Sequence, residues 1–184
     1  MRLLVGTALL ALLTATESRA GTPRPQGSGF VLRLGAGFGL GKASIGDAKE
    51  SRGGFAGGLT LGVAGRRFEF DLETALQPFH TKNPVAEEGY RAVYFLPSVR
   101  FHGDHVYARL GLGYARFSWA GAEASIPSDG GLAVAAAVGY ELAKPRSFPL
   151  SIEAYARTAT PDFEISCGIV GVQIVGSWYL HKSR

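Results

Sequence analysis

One stretch constrains the fold of this chain more than any other. Gly53–Gln77 reads GGFAGGLTLGVAGRRFEFDLETALQ. Two runs alternate strictly between apolar residues and small or polar ones. In the first, Phe55, Leu59, Leu61 and Val63 share a face, opposed by Ala56, Gly58, Thr60, Gly62 and Ala64. In the second, Phe68, Phe70, Leu72 and Leu76 oppose Glu69, Asp71 and Glu73. A period of two is the strand signature, because successive side chains point to opposite faces. Read as a two-residue loop, Gly65-Arg66 pairs 64 with 67, 62 with 69 and 60 with 71. Val63 then lies beside Phe68, Leu61 beside Phe70 and Leu59 beside Leu72, with both apolar faces on one side. Glycine at the first loop position suits a type II′ turn. A one-residue slip would put the apolar sets on opposite faces. The stretch predicts a β-hairpin.

The same alternation runs through the rest of the chain. It predicts strands at about Ser28–Gly41, Tyr90–His102, His105–Ser118, Gly131–Leu142, Pro149–Thr160 and Cys167–Leu180, which with the hairpin makes eight. The turn Gly103-Asp104 pairs 101 with 106 and 99 with 108, again matching the apolar faces. Pro97 lacks a ladder donor and marks an edge or a bulge. Gly35, Gly37 and Gly39 recur every second residue inside a strand pattern with no helix after them, which rules out a phosphate-cradling loop. The segments Lys42–Arg52, Pro78–Gly89 and Trp119–Gly130 are polar and read as long loops, and Pro161–Glu164 as a short one. The connections after strands two, four and six are tight, the last being Lys-Pro-Arg-Ser. No amphipathic helix is evident.

The N-terminus has the form of a signal peptide over residues 1–20. Arg2 is followed by the apolar core Leu3–Leu13 and by Ser18-Arg19-Ala20 at the cleavage position. The core is too short to span a bilayer as a helix, which needs about 20 residues. Without that segment, which holds Arg2, Arg19 and Glu17, the chain keeps 17 basic and 14 acidic side chains, net +3. With no basic cluster, this excludes a nucleic-acid-binding reading. Cys167 is the lone cysteine, so an internal disulfide is impossible, and it reads as a small apolar residue near a strand start.

An even number of strands with tight turns at one end and longer polar connections at the other is the layout of a bacterial outer-membrane barrel, and strands of roughly ten residues fit a tilted span. Phe68, Phe101, Tyr114, Tyr140 and Trp178 near strand ends suit interfacial girdles. The faces opposite the leucines carry Arg33, Arg100, Arg109 and Arg157 with Glu69, Asp71, Glu73, Glu141 and Glu153. All five lysines fall in the predicted loops or the tail. A basic residue turned to lipid costs about 2–4 kcal/mol at the midplane. Arginine's planar fork pairs with carboxylates in a packed interior. The charged faces are therefore assigned to the inside as a structural charge network. Inversion leaves the alternation unchanged, so a soluble periplasmic barrel of lipocalin type, with its apolar face around a ligand, is the alternative.

With phrases such as Tyr107-Ala-Arg-Leu-Gly-Leu-Gly-Tyr114 and Phe30–Gly41, residues 27–180 resemble the small eight-stranded OmpA/OmpX-like outer-membrane barrels. The resemblance implies an all-β, eight-stranded antiparallel up-and-down transmembrane β-barrel over residues 21–184, placed in the outer membrane. It departs from those barrels at its end, where Trp178-Tyr179-Leu180 is followed by four polar residues rather than closing on an aromatic one. The expected function is non-enzymatic: surface binding or adhesion through the outer loops, or envelope structure, with a side-chain-filled lumen. The expected partners are outer-membrane lipid and a surface ligand, the expected state is a monomer, and no cofactor, metal or nucleic acid is expected. A lipid A-modifying enzyme on the same fold would need a His-x-Ser pair in which base and nucleophile touch. Here His80 precedes Thr81 and Lys82, His102 and His105 flank a turn, and His181 lies in the tail. A narrow ion path along the interior charges is the remaining alternative to a purely structural network.

Overall fold

The computed structural model describes residues 29–45, 48–65, 68–80, 89–103, 105–120, 125–126, 130–143, 148–162 and 165–181. The expected signal segment 1–20 and the lead Gly21–Gly27 lie outside the described residues. Alternation along eight runs produces eight long strands: β1 Gly29–Ile45, β2 Ala48–Ala64, β3 Phe68–His80, β4 Gly89–His102, β5 Val106–Ala120, β6 Gly130–Ala143, β7 Leu150–Asp162 and β8 Ile165–His181. A two-residue segment, Ser125–Ile126, pairs with Trp119 and Ala120 at the end of β5.

Each strand pairs antiparallel with its sequence neighbours, and β1 also pairs with β8 from Gly29↔His181 to Ile45↔Ile165. The sheet therefore closes into an eight-stranded up-and-down barrel. Closure removes the unpaired edge that an open sheet would present. Both ends of the barrel chain, Gly29 and His181, lie at the end that carries the tight connections after β2, β4 and β6.

The apolar faces point outward. Leu59, Leu61, Phe70 and Leu72 are 41%, 54%, 66% and 51% exposed, while Glu69, Asp71 and Glu73 on the alternate positions are buried. This overturns the lipocalin alternative. A ligand-binding barrel needs its apolar face inside, and here that side is lined by charges.

Two details of register differ from expectation in the same way. Val63 pairs with Phe70, Leu61 with Leu72 and Leu59 with Thr74. Phe101 pairs with Ala108 and Val99 with Leu110. Both hairpins are displaced by two residues from the predicted pairing. Gly65 N donates to Phe68 O at 2.8 Å and Gly103 N to Val106 O at 2.7 Å. Each glycine thus closes the ladder and does not lead the turn. A period of two fixes the face and is blind to a shift of two. In the observed register Gly62 stands opposite Asp71, and a Cβ there would fall 2.1 Å from Asp71 Oδ1.

Strand length also exceeds expectation. Most of the segment Lys42–Arg52, expected as a loop, is strand, with Lys42 paired to Ser51 and Ser44 to Lys49. Lys42 and Lys49 are accordingly strand residues. A polar composition does not stop the backbone ladder from continuing. Pro97 sits within β4 without a register shift: the β4–β5 pairing is Phe95↔Tyr114, then Ser98↔Gly111, with Leu96 and Pro97 unpaired on that side. The missing N–H interrupts one ladder only, and β3 pairs Leu72 with Pro97 on the other side. Bulges occur instead near Glu141/Ala143 and Ala159/Asp162.

Candidate functional site

The inward positions of the eight strands converge on one lumen, and this is where the candidate residues lie. Arg33, Glu69, Asp71, Glu73, Arg100, Arg109, Glu141, Glu153 and Arg157 are all buried, none more than 7% exposed. Such charges persist in a dry interior only when paired and hydrogen-bonded.

The pairing reaches across the barrel as well as between neighbouring strands. Arg33 on β1 donates to Glu69 and, at 2.9 Å, to Asp71, both on β3. Arg100 on β4 lies 3.3 Å from Asp71 Oδ2 and 3.8 Å from Glu153 Oε2. Arg109 on β5 forms a crossbar: one arm donates to Glu73 on β3, the other to Glu153 on β7 at 2.7 Å. Arg157 on β7 donates to the other oxygen of Glu73 at 2.7 Å. Glu141 lies near the tight-turn end, its Oε1 3.8 Å from His102 Nδ1.

Several neutral partners complete the set, and sequence reasoning missed them. Glu153 also accepts from Gln173 Nε2 at 2.7 Å and from Tyr107 Oη at 3.0 Å. Tyr179 Oη donates to Glu69 at 3.2 Å, and His102 Nε2 lies 3.1 Å from the same carboxylate oxygen. Tyr155 Oη donates to Gln77 at 3.3 Å. Arg100 and Arg157 also lie over the rings of Tyr107 and Tyr155, at 4.2 and 4.1 Å from the centroids. His102, Tyr107, Gln77 and Tyr155 share strand and parity with a charged residue, which is the signal that could have found them; Gln173 and Tyr179 stand on β8, which has no Asp, Glu, Lys or Arg, and only their polar parity marks them.

Large rings fit because glycine stands beside them. A Cβ on Gly139 would fall 2.1 Å from the Tyr107 ring, and one on Gly171 would fall 2.5 Å from Tyr155 Oη. Toward the long connections the lumen changes character. Ala56, Ala75, Ala92, Tyr94, Leu96, Ala115, Ala133, Ala159, Cys167 and Ile169 pack there as one buried apolar cluster. Cys167 is a free thiol in that cluster.

Chemically, this interior can fill, brace and exclude. His102 faces the lumen and is followed by Gly103, and His105 stacks outward on Tyr140 at 6.0 Å between ring centroids. Among the described residues, no group of three or more His, Cys, Asp and Glu is placed to hold a metal ion.

No protein-family model matches the chain, and no curated protein sequence matches it. Solved structures do. The structure is similar to Ail, the attachment invasion locus protein of Yersinia pestis, with a TM-score of 0.60 at 13% identity over 82% of this chain and 99% of that one. Ail in complex with the heparin analogue sucrose octasulfate gives 0.58 at 14% identity over the same shares. Neisserial surface protein A gives 0.52 at 18% identity, covering 80% of this chain and 96% of that one. The N-terminal β-barrel domain of Pseudomonas aeruginosa OprF gives 0.50 at 12% identity, covering 83% and 100%. At these identities the likeness is one of fold, and the chain has the closed eight-stranded antiparallel architecture of these small barrels.

Proposed function

We propose that this chain is an integral outer-membrane barrel that acts through its outer hairpins in surface binding, adhesion or envelope structure, and that it is neither an enzyme nor an open pore. The observation that carries the reading is the inside-out distribution of side chains: a belt of exposed Leu, Val, Ile and Phe around a lumen packed with ion pairs. Such a belt is unfavourable in water and is what a bilayer requires. Export by residues 1–20 is part of the proposal. A single chain closes its own sheet, which supports a monomer.

The nine buried charges then serve as a structural network. The crossbar of Arg109 between Glu73 and Glu153 favours this over an ion path, because its guanidinium is engaged on opposite walls. Ail binds a sulfated sugar analogue. That supports a polyanionic surface ligand as one candidate for the hairpin ends of this chain. The membrane reading is tested by fractionating cells that express the full chain and comparing gel mobility before and after heating. A heat-dependent shift in the outer-membrane fraction is expected. A soluble product without a shift would overturn it.

A further inference from the structure

The ion-pair network encloses a cavity. Gly35 on β1 pairs directly with Gly58 on β2, and both occupy lumen-facing positions. Where two facing residues lack side chains, the wall recedes. A cavity of about 10 Å³ lies against this pair. One water molecule needs about 10–15 Å³, so the space holds one and leaves no room for a second.

The two glycines differ in what they would tolerate. A Cβ on Gly35 would fall 3.1 Å from Gln173 Oε1. A Cβ on Gly58 would meet nothing closer than 3.6 Å, with Glu73 Oε1 at 3.7 Å. Packing therefore leaves room at position 58 that this chain does not fill with a side chain.

One buried polar atom points to what belongs there. Gln173 is 5% exposed. Its Nε2 donates to Glu153 Oε1 at 2.7 Å, and a carboxylate needs an N–H, so the orientation of the amide is fixed. The Oε1 is thereby turned toward Gly35, where it accepts no hydrogen bond from any described residue. A buried acceptor left unpaired is costly. The other lining groups select the occupant. Arg100 and Arg109 line the cavity together with Glu73 and Glu153. Two guanidiniums and two carboxylates balance, so neither a cation nor an anion gains net attraction. The occupant must be neutral, small and able to donate. Water meets all three conditions.

We propose that the niche at Gly35 and Gly58 binds a single water molecule, which donates to Gln173 Oε1 and to the Glu73 carboxylate. Its place closes a ring. Glu153 Oε1 accepts from Gln173 and, at 2.7 Å, from Arg109, and Arg109 donates onward to Glu73. The water carries the circuit from Glu73 back to Gln173, joining β3, β5, β7 and β8 through one hydrogen-bonded loop. This goes beyond the surface role proposed above and does not depend on it.

The test is a crystal structure of the full barrel at a resolution that shows ordered water, for the wild type and for Gly58→Ser, with bromide and rubidium soaks of the wild type. The wild-type map is expected to show one peak within hydrogen-bond distance of both Gln173 Oε1 and Glu73, with no anomalous signal in either soak. In Gly58→Ser, whose Cβ has room, that peak should be lost and the serine hydroxyl should stand within hydrogen-bond distance of Gln173 Oε1. A wild-type map with Gln173 well ordered and no peak beside it would overturn the site. An anomalous peak there would make it an ion site and overturn it equally. A separate peak persisting beside the serine hydroxyl would contradict a niche for one molecule. Should Gly58→Ser not refold, the wild-type map and soaks decide alone.

Discussion

The two halves of the lumen are built from the same strands and hold together by different physics. β3 places Glu69, Asp71 and Glu73 in one half, then Ala75 in the other; β7 runs from Glu153 through Tyr155 and Arg157 to Ala159. In the half nearer the tight turns, charges are neutralised by partners on other strands and completed by neutral hydrogen-bonding groups. In the half nearer the long connections, alanines, Tyr94, Leu96 and Ile169 fill space. A missing member in the first half leaves an uncompensated charge. A missing member in the second leaves only a void. The comparison teaches that one parity on a strand can serve two kinds of interior.

The largest effect should come from Glu153→Leu. It strips Arg109 of one arm and removes an acceptor from Tyr107 and Gln173. Breaking a buried pair from one side costs about 3–5 kcal/mol. Urea unfolding of the refolded barrel should show a large fall in midpoint, and the loss should be partly recovered when Arg109 is also replaced by Met. Leu96→Ala, in the apolar half, should cost about 3 kcal/mol as a cavity, with no such recovery from a second charge removal. If Leu96→Ala were harmless and Ile169→Val costly, the packing account of that half would be wrong.

Glycine clearances sharpen the contrast further. Gly171→Ala places a Cβ 2.5 Å from both Tyr155 Oη and the backbone carbonyl of Phe38, and should cost about 2 kcal/mol by overpacking. Gly168→Ala meets nothing within 4 Å and should change the midpoint little. The smallest resolvable loss is expected from Ile169→Val, about 1 kcal/mol.

The architecture was legible because lipid and lumen impose opposite demands on alternate residues. Leu59, Thr60, Leu61 and Gly62 announce their faces without any neighbour in view. The register was not, since Gly65 and Gly103 are compatible with two turn placements that share parity. Strand length was not legible either: Lys42 and Ser51 look like loop because both are polar, yet they pair. In the lumen, the charge on Arg109 could be assigned to a face from alternation. Its crossbar to β3 and β7 could not, because that depends on which strands stand opposite one another once the barrel closes. Tyr107, Tyr155 and Gln173 were passed over because polar but uncharged side chains suit several environments.

The central claim is that the leucine face of β2 and β3 meets lipid while the alternate face is sealed in the lumen. Single cysteines placed one at a time from Leu59 to Val63, in a Cys167→Ala background, can carry a nitroxide whose collisions with oxygen and with a water-soluble nickel chelate are compared in vesicles. The account predicts a period of two, with high oxygen and low chelate accessibility at 59, 61 and 63 and low accessibility to both at 60 and 62. Strong chelate collisions at 59, 61 and 63 would place that face in water and contradict it.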